Sequence, residues 1–188
     1  MTVLTNSRPR FVPDEPLPPY SFVPGRFPHP VSDPAGHMHG KPTERPAAPD
    51  PDRWEECEAY LRGVDLFNFG FYWEAHETWE GLWHACGRRG PTADFLRGLI
   101  KLGAAGVKVR EGVPEGVASH ARRAAAIFRD AAERLNGLDA RFFGLRLGDL
   151  LAHARTVEAT AATVEGDRDG GVKIVFPFVL FPQTADTA

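Results

Sequence analysis

The segment from Phe71 to Ala85 contains the residues whose types and spacing could do chemistry. In a helix, with about 100° between successive residues, His76 falls among aromatic side chains on one third of the circumference. Glu80 lies on the same side, four residues further on, so its carboxylate can reach the imidazole. An unpaired buried polar group costs about 1 to 3 kcal/mol. The two side chains are therefore expected to satisfy each other or to bind a ligand. The aromatic residues of this face are Phe69, Tyr72, Trp73, Trp79 and Trp83.

The same pair indicates a possible divalent metal site. An imidazole and a carboxylate at positions i and i+4 can bind one ion, and His76-Glu-x-x-Glu80 resembles the HExxH zinc signature with its second histidine replaced. A complete site would need ligands from elsewhere in the chain, and His37 or His39 of the N-terminal region could supply them. In this projection Glu74 falls on or toward the opposite side of the helix.

Two other interpretations of the pair stay open. Aromatic walls with a few polar groups are typical of small-molecule pockets, in which His76 could act as an acid or base oriented by Glu80. Alternatively, the pair only locks helix packing. Whether the protein is an enzyme is not settled by the sequence, since it has no GxSxG, P-loop or dinucleotide-binding glycine pattern.

Helical signals surround this segment and predict an all-α fold, a compact bundle of about five helices. Proline at the first helical position, glycine after the last turn and apolar residues at three- and four-residue steps mark each helix. Three glycines inside the third helix indicate close packing against a neighbour. The predicted helices run from Asp50 to Asn68, from Phe71 to Ala85, from Pro91 or Thr92 to before Gly112, from Pro114 to Gly137, and from Leu147 to Val164.

The two ends of the chain do not show these helical signals. Thirteen of the 17 prolines lie between Pro9 and Pro51, which excludes regular helix or sheet there. Residues 1–50 are thus predicted to form an extended proline-rich arm whose aromatic residues lie partly on the body, a bundle domain of residues 51–166. Residues 167–188 are predicted to form a turn and a short extended C-terminal segment, with a possible strand from Val172 to Phe181.

Composition limits the partners. The formal charge of −3 gives no basic field for nucleic acid. No apolar run reaches the roughly 20 residues of a membrane-spanning helix, and Met1 to Pro13 lacks the apolar stretch of an export signal. The two cysteines have no zinc-like spacing. We therefore expect a cytoplasmic protein with no nucleic-acid or membrane partner. A small-molecule or protein partner and a homo-oligomer remain possible.

Two linked motifs carry a resemblance to a known family. Asn68 to Trp83 contains the pattern EAHExxExxW, and Phe95 to Lys101 begins with FLxGLI. Together they resemble domain of unknown function family 309, over about residues 54 to 135. The resemblance implies a small all-helical bundle of no established activity. It also points to Glu77 beside His76, Glu80 and Trp83, and to Gly98 on the next helix. Lys101 stands where glutamine is common in the family. With these positions, the candidate ligand-binding residues are Tyr72, Trp73, His76, Glu77, Trp79, Glu80, Trp83 and Lys101.

A non-catalytic alternative also remains. Gly70-x-Tyr72-x-x-Ala75 is similar to a fragment of the tetratricopeptide helix pair, and another glycine-led helix begins about forty residues later. Two such units do not make a solenoid. They are nevertheless compatible with a helix-hairpin module that binds a protein partner, in which His76 and Glu80 form a packing pair.

Overall fold

Five α-helices make up the body of the protein in a computed structural model that describes residues 8–41, 46–167 and 171–184. A 3₁₀ turn, Pro51–Glu56, precedes the first helix, and another, Ala161–Thr163, follows the last. The all-α fold and the helix count predicted from the sequence are confirmed for the described residues. The helices are α1 Glu58–Asn68, α2 Tyr72–Ala85, α3 Pro91–Glu111, α4 Pro114–Arg134 and α5 Leu147–Ala159.

Local sequence sets the ends of these helices. Pro91 and Pro114 occupy the first turns of α3 and α4, where a missing N–H costs no hydrogen bond. Gly87 and Gly112 adopt positive φ angles of 65° and 72° after α2 and α3, as helix-stopping glycines do. Each helix packs on the one that follows it in the chain. None of the helices described is long and apolar enough to cross a membrane.

Glycines bring α3 close to both of its neighbours, as the sequence indicated. A Cβ added at Gly106 would lie 2.5 Å from the ring of Tyr72 on α2, and one added at Gly98 would lie 2.5 Å from the ring of Phe128 on α4. Cβ atoms essentially never lie so close to other atoms. The lack of side chains at these two contacts therefore allows α3 to pack closely against both α2 and α4 as the central helix.

The N-terminal arm binds the body through a buried carboxylate. Asp65 of α1 is fully inaccessible to solvent. Its carboxylate accepts hydrogen bonds from the backbone N–H of Phe11 at 2.8 Å, from that of Val12 at 2.9 Å and from Nε of Arg10 at 3.0 Å. Further along the arm, Val23 is fully buried. The arm residues described here therefore lie against the helices and cover part of the α1–α2 surface.

The C-terminal segment is extended, but the strand considered for residues 172–181 does not form. Side chains of the body take the place of a partner strand, because the Asn68 amide bonds both the N–H and the C=O of Leu180 and the Tyr72 hydroxyl accepts the N–H of Val175. The one ladder within the described residues is a short hairpin between α4 and α5, β1 Arg141–Phe142 with β2 Leu145–Arg146, which the sequence did not predict. Residues 168–170 of the predicted turn lie outside the described residues.

Candidate functional site

The buried face of α2 is narrower than the sequence predicted. It consists of Tyr72, Ala75, Trp79 and Leu82, which pack between α1 and α3. His76 lies at the margin of this face with 25% of its side chain exposed, so the expectation that it sits in the middle of the buried face is wrong. The reason is geometric: residues 72, 75, 79 and 82 are aligned on one helix stripe, and His76 is rotated by about 100° from Ala75.

His76 forms a polar group with two carboxylates of its own helix. Its Nδ1 lies 3.3 Å from Oε1 of Glu77, which therefore provides the hydrogen bond that the sequence assigned to Glu80. One ligand atom from each of His76, Glu77 and Glu80 lies within 4.8 Å of the others, and all three residues are partly accessible to solvent. We refer to these three residues as the His76 group. Glu77 belongs to it because a glutamate side chain is long enough to fold back to its neighbour.

His120 of α4 lies close enough to His76, and to three basic residues of α3 and α4, for their charges to act on it. Burial lowers the pKa of His120, and the charges of Lys101, Arg123, Lys108 and His76 lower it further. The Nδ1 atom of His120 is buried and has no hydrogen-bond partner within the described parts of the chain. His120 was missed by the sequence analysis because it lies next to the inward stripe of a different helix, and no motif connects it to His76.

The histidines of the arm take other positions. His37 packs edge-on against Tyr20, with ring centroids 4.6 Å apart, and burial followed by the charge of Lys41 lowers its pKa. Nδ1 of His39 lies 3.1 Å from the carbonyl oxygen of Val31. The structure brings neither of them into the His76 group, so a contribution of His37 or His39 to a metal site stays a prediction. His29 packs against Trp73 instead.

Two of the candidate ligand-binding aromatic residues belong to the core. Tyr72 is 1% exposed, and burial raises the pKa of its hydroxyl to about 12. Trp79 is fully buried and donates its indole N–H to the carbonyl oxygen of Tyr60 at 3.3 Å. Both side chains are thus occupied by packing. Trp73 and Trp83 are partly buried, and Trp83 contacts the ring of His84.

Glu74 is an acid on the side of α2 away from His76, as the helical projection placed it, but it is buried there. It is 4% exposed because the arm covers it, and Oε1 accepts the N–H of Phe22 at 2.8 Å. Oε2 has no hydrogen-bond partner among the residues described. Burial raises the pKa of this carboxyl to about 7, against smaller opposing contributions from the Phe22 hydrogen bond and the Arg110 charge. A helical projection cannot show this, since the covering residues lie 52 positions away.

Comparison with known proteins agrees with the resemblance seen in the sequence. Residues 60–120 match the model of a family described as Domain of unknown function (DUF309). The matched segment includes all of α2 and α3 and therefore the complete His76 group. This segment is thus similar to the family, while the arm, the hairpin, α5 and the C-terminal segment lie outside the match. A search of curated proteins finds no match.

Proposed function

We propose that the protein binds a divalent transition-metal ion at His76, Glu77 and Glu80. The observation that carries this proposal is the separation of at most 4.8 Å among one potential ligand atom from each residue. Nitrogen and oxygen ligands lie about 2.0 to 2.2 Å from a zinc ion, so ligands of one ion are about 3 to 4 Å apart. Small side-chain rotations would therefore place the three atoms around a single ion.

The ligand set favours a particular class of ion. One imidazole with two carboxylates suits zinc, manganese or iron better than calcium, which takes six to eight oxygen ligands. Three protein ligands would leave coordination positions for water or substrate, as in catalytic rather than structural sites. The partial exposure of all three side chains agrees with this arrangement, because an ion can reach them from solvent.

The backbone around His76 supports the site as well. The absence of a side chain at Gly103 lets α3 approach α2 so closely that an added Cβ would lie 3.4 Å from Cβ of His76. The base of the imidazole is therefore confined by a packed helix, which reduces the entropy lost when the ring binds an ion.

Calorimetric titration of the full chain with Co²⁺ tests the proposal, together with the absorption spectrum of the bound ion. We expect one ion per chain and a loss of affinity of at least about tenfold in the variant His76→Ala, equivalent to about 1.4 kcal/mol. Glu80→Gln should weaken binding in the same way, because the amide cannot supply the negative charge of the carboxylate.

His84→Ala is the matched control, because His84 is an exposed histidine of the same helix. It should bind Co²⁺ as the wild type does. Absence of stoichiometric binding to the wild type, or an equal loss in His84→Ala, would contradict the proposal. Either result would favour the packing-pair interpretation, in which the His76 group serves only the helical scaffold.

A further inference from the structure

The two cysteines of the chain lie at the same end of the hairpin formed by α1 and α2. Cys57 is the residue before α1, and Cys86 is the residue after α2. Only residues 69–71 separate the helices, and a connection this short makes them antiparallel neighbours. The beginning of α1 therefore lies beside the end of α2. Both cysteines are free thiols, and both are partly accessible to solvent.

Contacts between α1 and α2 fix their register. A Cβ added at Gly63 would overlap the indole ring of Trp79, and the indole N–H donates to the carbonyl oxygen of Tyr60 at 3.3 Å. Cys57 lies six residues before Gly63, and Cys86 lies seven residues after Trp79. With a rise of about 1.5 Å per residue, these steps lead about 9 and about 10.5 Å toward the same end of the hairpin. The two cysteines are therefore at nearly the same level.

The cysteines also continue the stripes of side chains along which the two helices pack. In each stripe the residues are spaced by three or four positions, so they share one face of the helix. The stripe of α1 begins at Cys57 and that of α2 ends at Cys86, and each thiol packs against the core. A disulfide requires two side chains that face each other, which the register and the stripes provide. The buried members of the stripes are Tyr60, Val64 and Phe67 on α1 and Ala75, Trp79 and Leu82 on α2.

The thiol of Cys86 is near enough to Cys57 to respond to its charge. Burial raises the pKa of Cys86, and the charge of Cys57 raises it further. Burial also raises the pKa of Cys57, whereas the backbone N–H groups of Tyr60 and Ala59 at the start of α1 oppose the increase. The thiolate is the nucleophile of a cysteine, and the N-terminus of a helix favours it. Cys57 is therefore the better placed of the two to begin an exchange reaction.

We infer that Cys57 and Cys86 form a reversible disulfide that closes the open end of the α1–α2 hairpin, with a small-molecule disulfide as the oxidant. The Cys57 thiolate attacks one sulfur of the oxidant, forms a mixed disulfide and releases the other half as a thiolate. The Cys86 thiolate then attacks the Cys57 sulfur and displaces the second half. The two protons of the cysteines pass to the released thiolates, and two electrons pass to the oxidant. The bond fixes α1 to α2, the helix that carries the His76 group.

Treatment of the full chain with a small molar excess of glutathione disulfide tests the inference. A pH of about 8.5 increases the ionised share of each thiol. Mass spectrometry and thiol titration of the denatured product follow the reaction. We expect the wild type to lose both thiols and two hydrogen atoms, with no bound glutathione and no covalent dimer, and dithiothreitol should restore both thiols. The variant His76→Ala should react in the same way, which separates this bond from the proposed metal site.

Two control variants test the proximity of the thiols. Cys86→Ser leaves Cys57 without a partner, so Cys57 should retain a glutathione adduct. The double variant Cys86→Ser, His84→Cys moves the second thiol to an exposed position about 200° around α2, and it should carry glutathione instead of a bridge. Stable glutathione adducts on the wild type, thiols that resist the oxidant, a covalent dimer, or a bridge in the double variant as complete as that of the wild type would overturn the inference.

Discussion

The buried carboxyl of Glu74 makes the stability of the protein depend on pH. Its pKa of about 7 in the folded chain compares with an ordinary value of 4.5, and burial is the main cause of the increase. Each pKa unit corresponds to about 1.4 kcal/mol, so the difference corresponds to about 3 kcal/mol. Because Glu74 is only 4% exposed, solvent screening reduces this figure little.

The direction of this pH dependence follows from whether the folded or the unfolded chain keeps the proton of Glu74. Below about pH 4.5 both states are protonated, and the contribution of Glu74 to the stability of the folded chain is fully present. As the pH rises to about 7, the unfolded chain releases the proton while the folded chain retains it, so the free energy of unfolding decreases. Above the folded pKa, the contribution of about 3 kcal/mol is lost.

The variant Glu74→Gln isolates this effect. Its amide oxygen can still accept the N–H of Phe22, but the side chain does not ionise. We expect the free energy of unfolding of Glu74→Gln, relative to that of the wild type, to increase by about 3 kcal/mol between about pH 4.5 and pH 8. Urea unfolding at several pH values measures this difference. The contributions of the other titrating groups largely cancel in it, because the two proteins share those groups.

Glu115→Gln provides the control, since Glu115 is an exposed acid in the first turn of α4. Its stability difference from the wild type should stay within about 0.5 kcal/mol over the same pH range. A difference for Glu74→Gln that changes by less than about 1 kcal/mol would refute the reasoning, because Glu74 would then ionise in the folded chain nearly as it does in water.

Two further predictions concern stability. Asp65→Ala leaves three donors of the arm without their buried carboxylate, so the free energy of unfolding should fall by about 3 to 5 kcal/mol and proteolysis within residues 8–41 should become faster. The variant Asp130→Ala, at an exposed position, should show neither change. An arm that stays protected from proteolysis in Asp65→Ala would contradict this role of Asp65. Gly98→Ala should destabilise the protein by about 1 to 3 kcal/mol, because its Cβ would meet the buried ring of Phe128. At Gly81 an added Cβ would have no neighbouring atom closer than 3.8 Å, so Gly81→Ala should instead stabilise α2 by up to about 1 kcal/mol. Thermal unfolding measures both variants, and equal effects of the two substitutions would contradict the packing argument.

The helices were predictable because their signals are local. The segment from Phe71 to Ala85 corresponds to α2 within one residue, since the apolar period and the glycine after the helix lie close together in sequence. The fifth helix was predicted to reach Val164, but α5 ends at Ala159 and a 3₁₀ turn follows. The apolar spacing continues through both elements, so the periodicity alone could not locate the change.

The polar groups of the interior were not predictable in the same way. A helical projection assumes one buried face, whereas the arm buries a second face of α2 and so encloses Glu74. Arg110 and Asp167 meet across 57 residues, and no local pattern connects them. At the candidate metal site, the spacing rule identified His76 and Glu80, while the contact of Glu77 with His76 depends on a side-chain rotation that a sequence does not specify.

The guanidinium of Arg8 donates to the carbonyl oxygen of Asn68 at 3.0 Å and to those of Phe178 and Phe176 at 3.2 and 3.4 Å. The last of these contacts joins residues 168 positions apart. During synthesis from the N-terminus, Arg8 therefore leaves the ribosome long before two of its three acceptors exist. The bundle can assemble in the order in which its helices emerge, but the first described residue of the arm completes its bonds only after the C-terminal segment has been made.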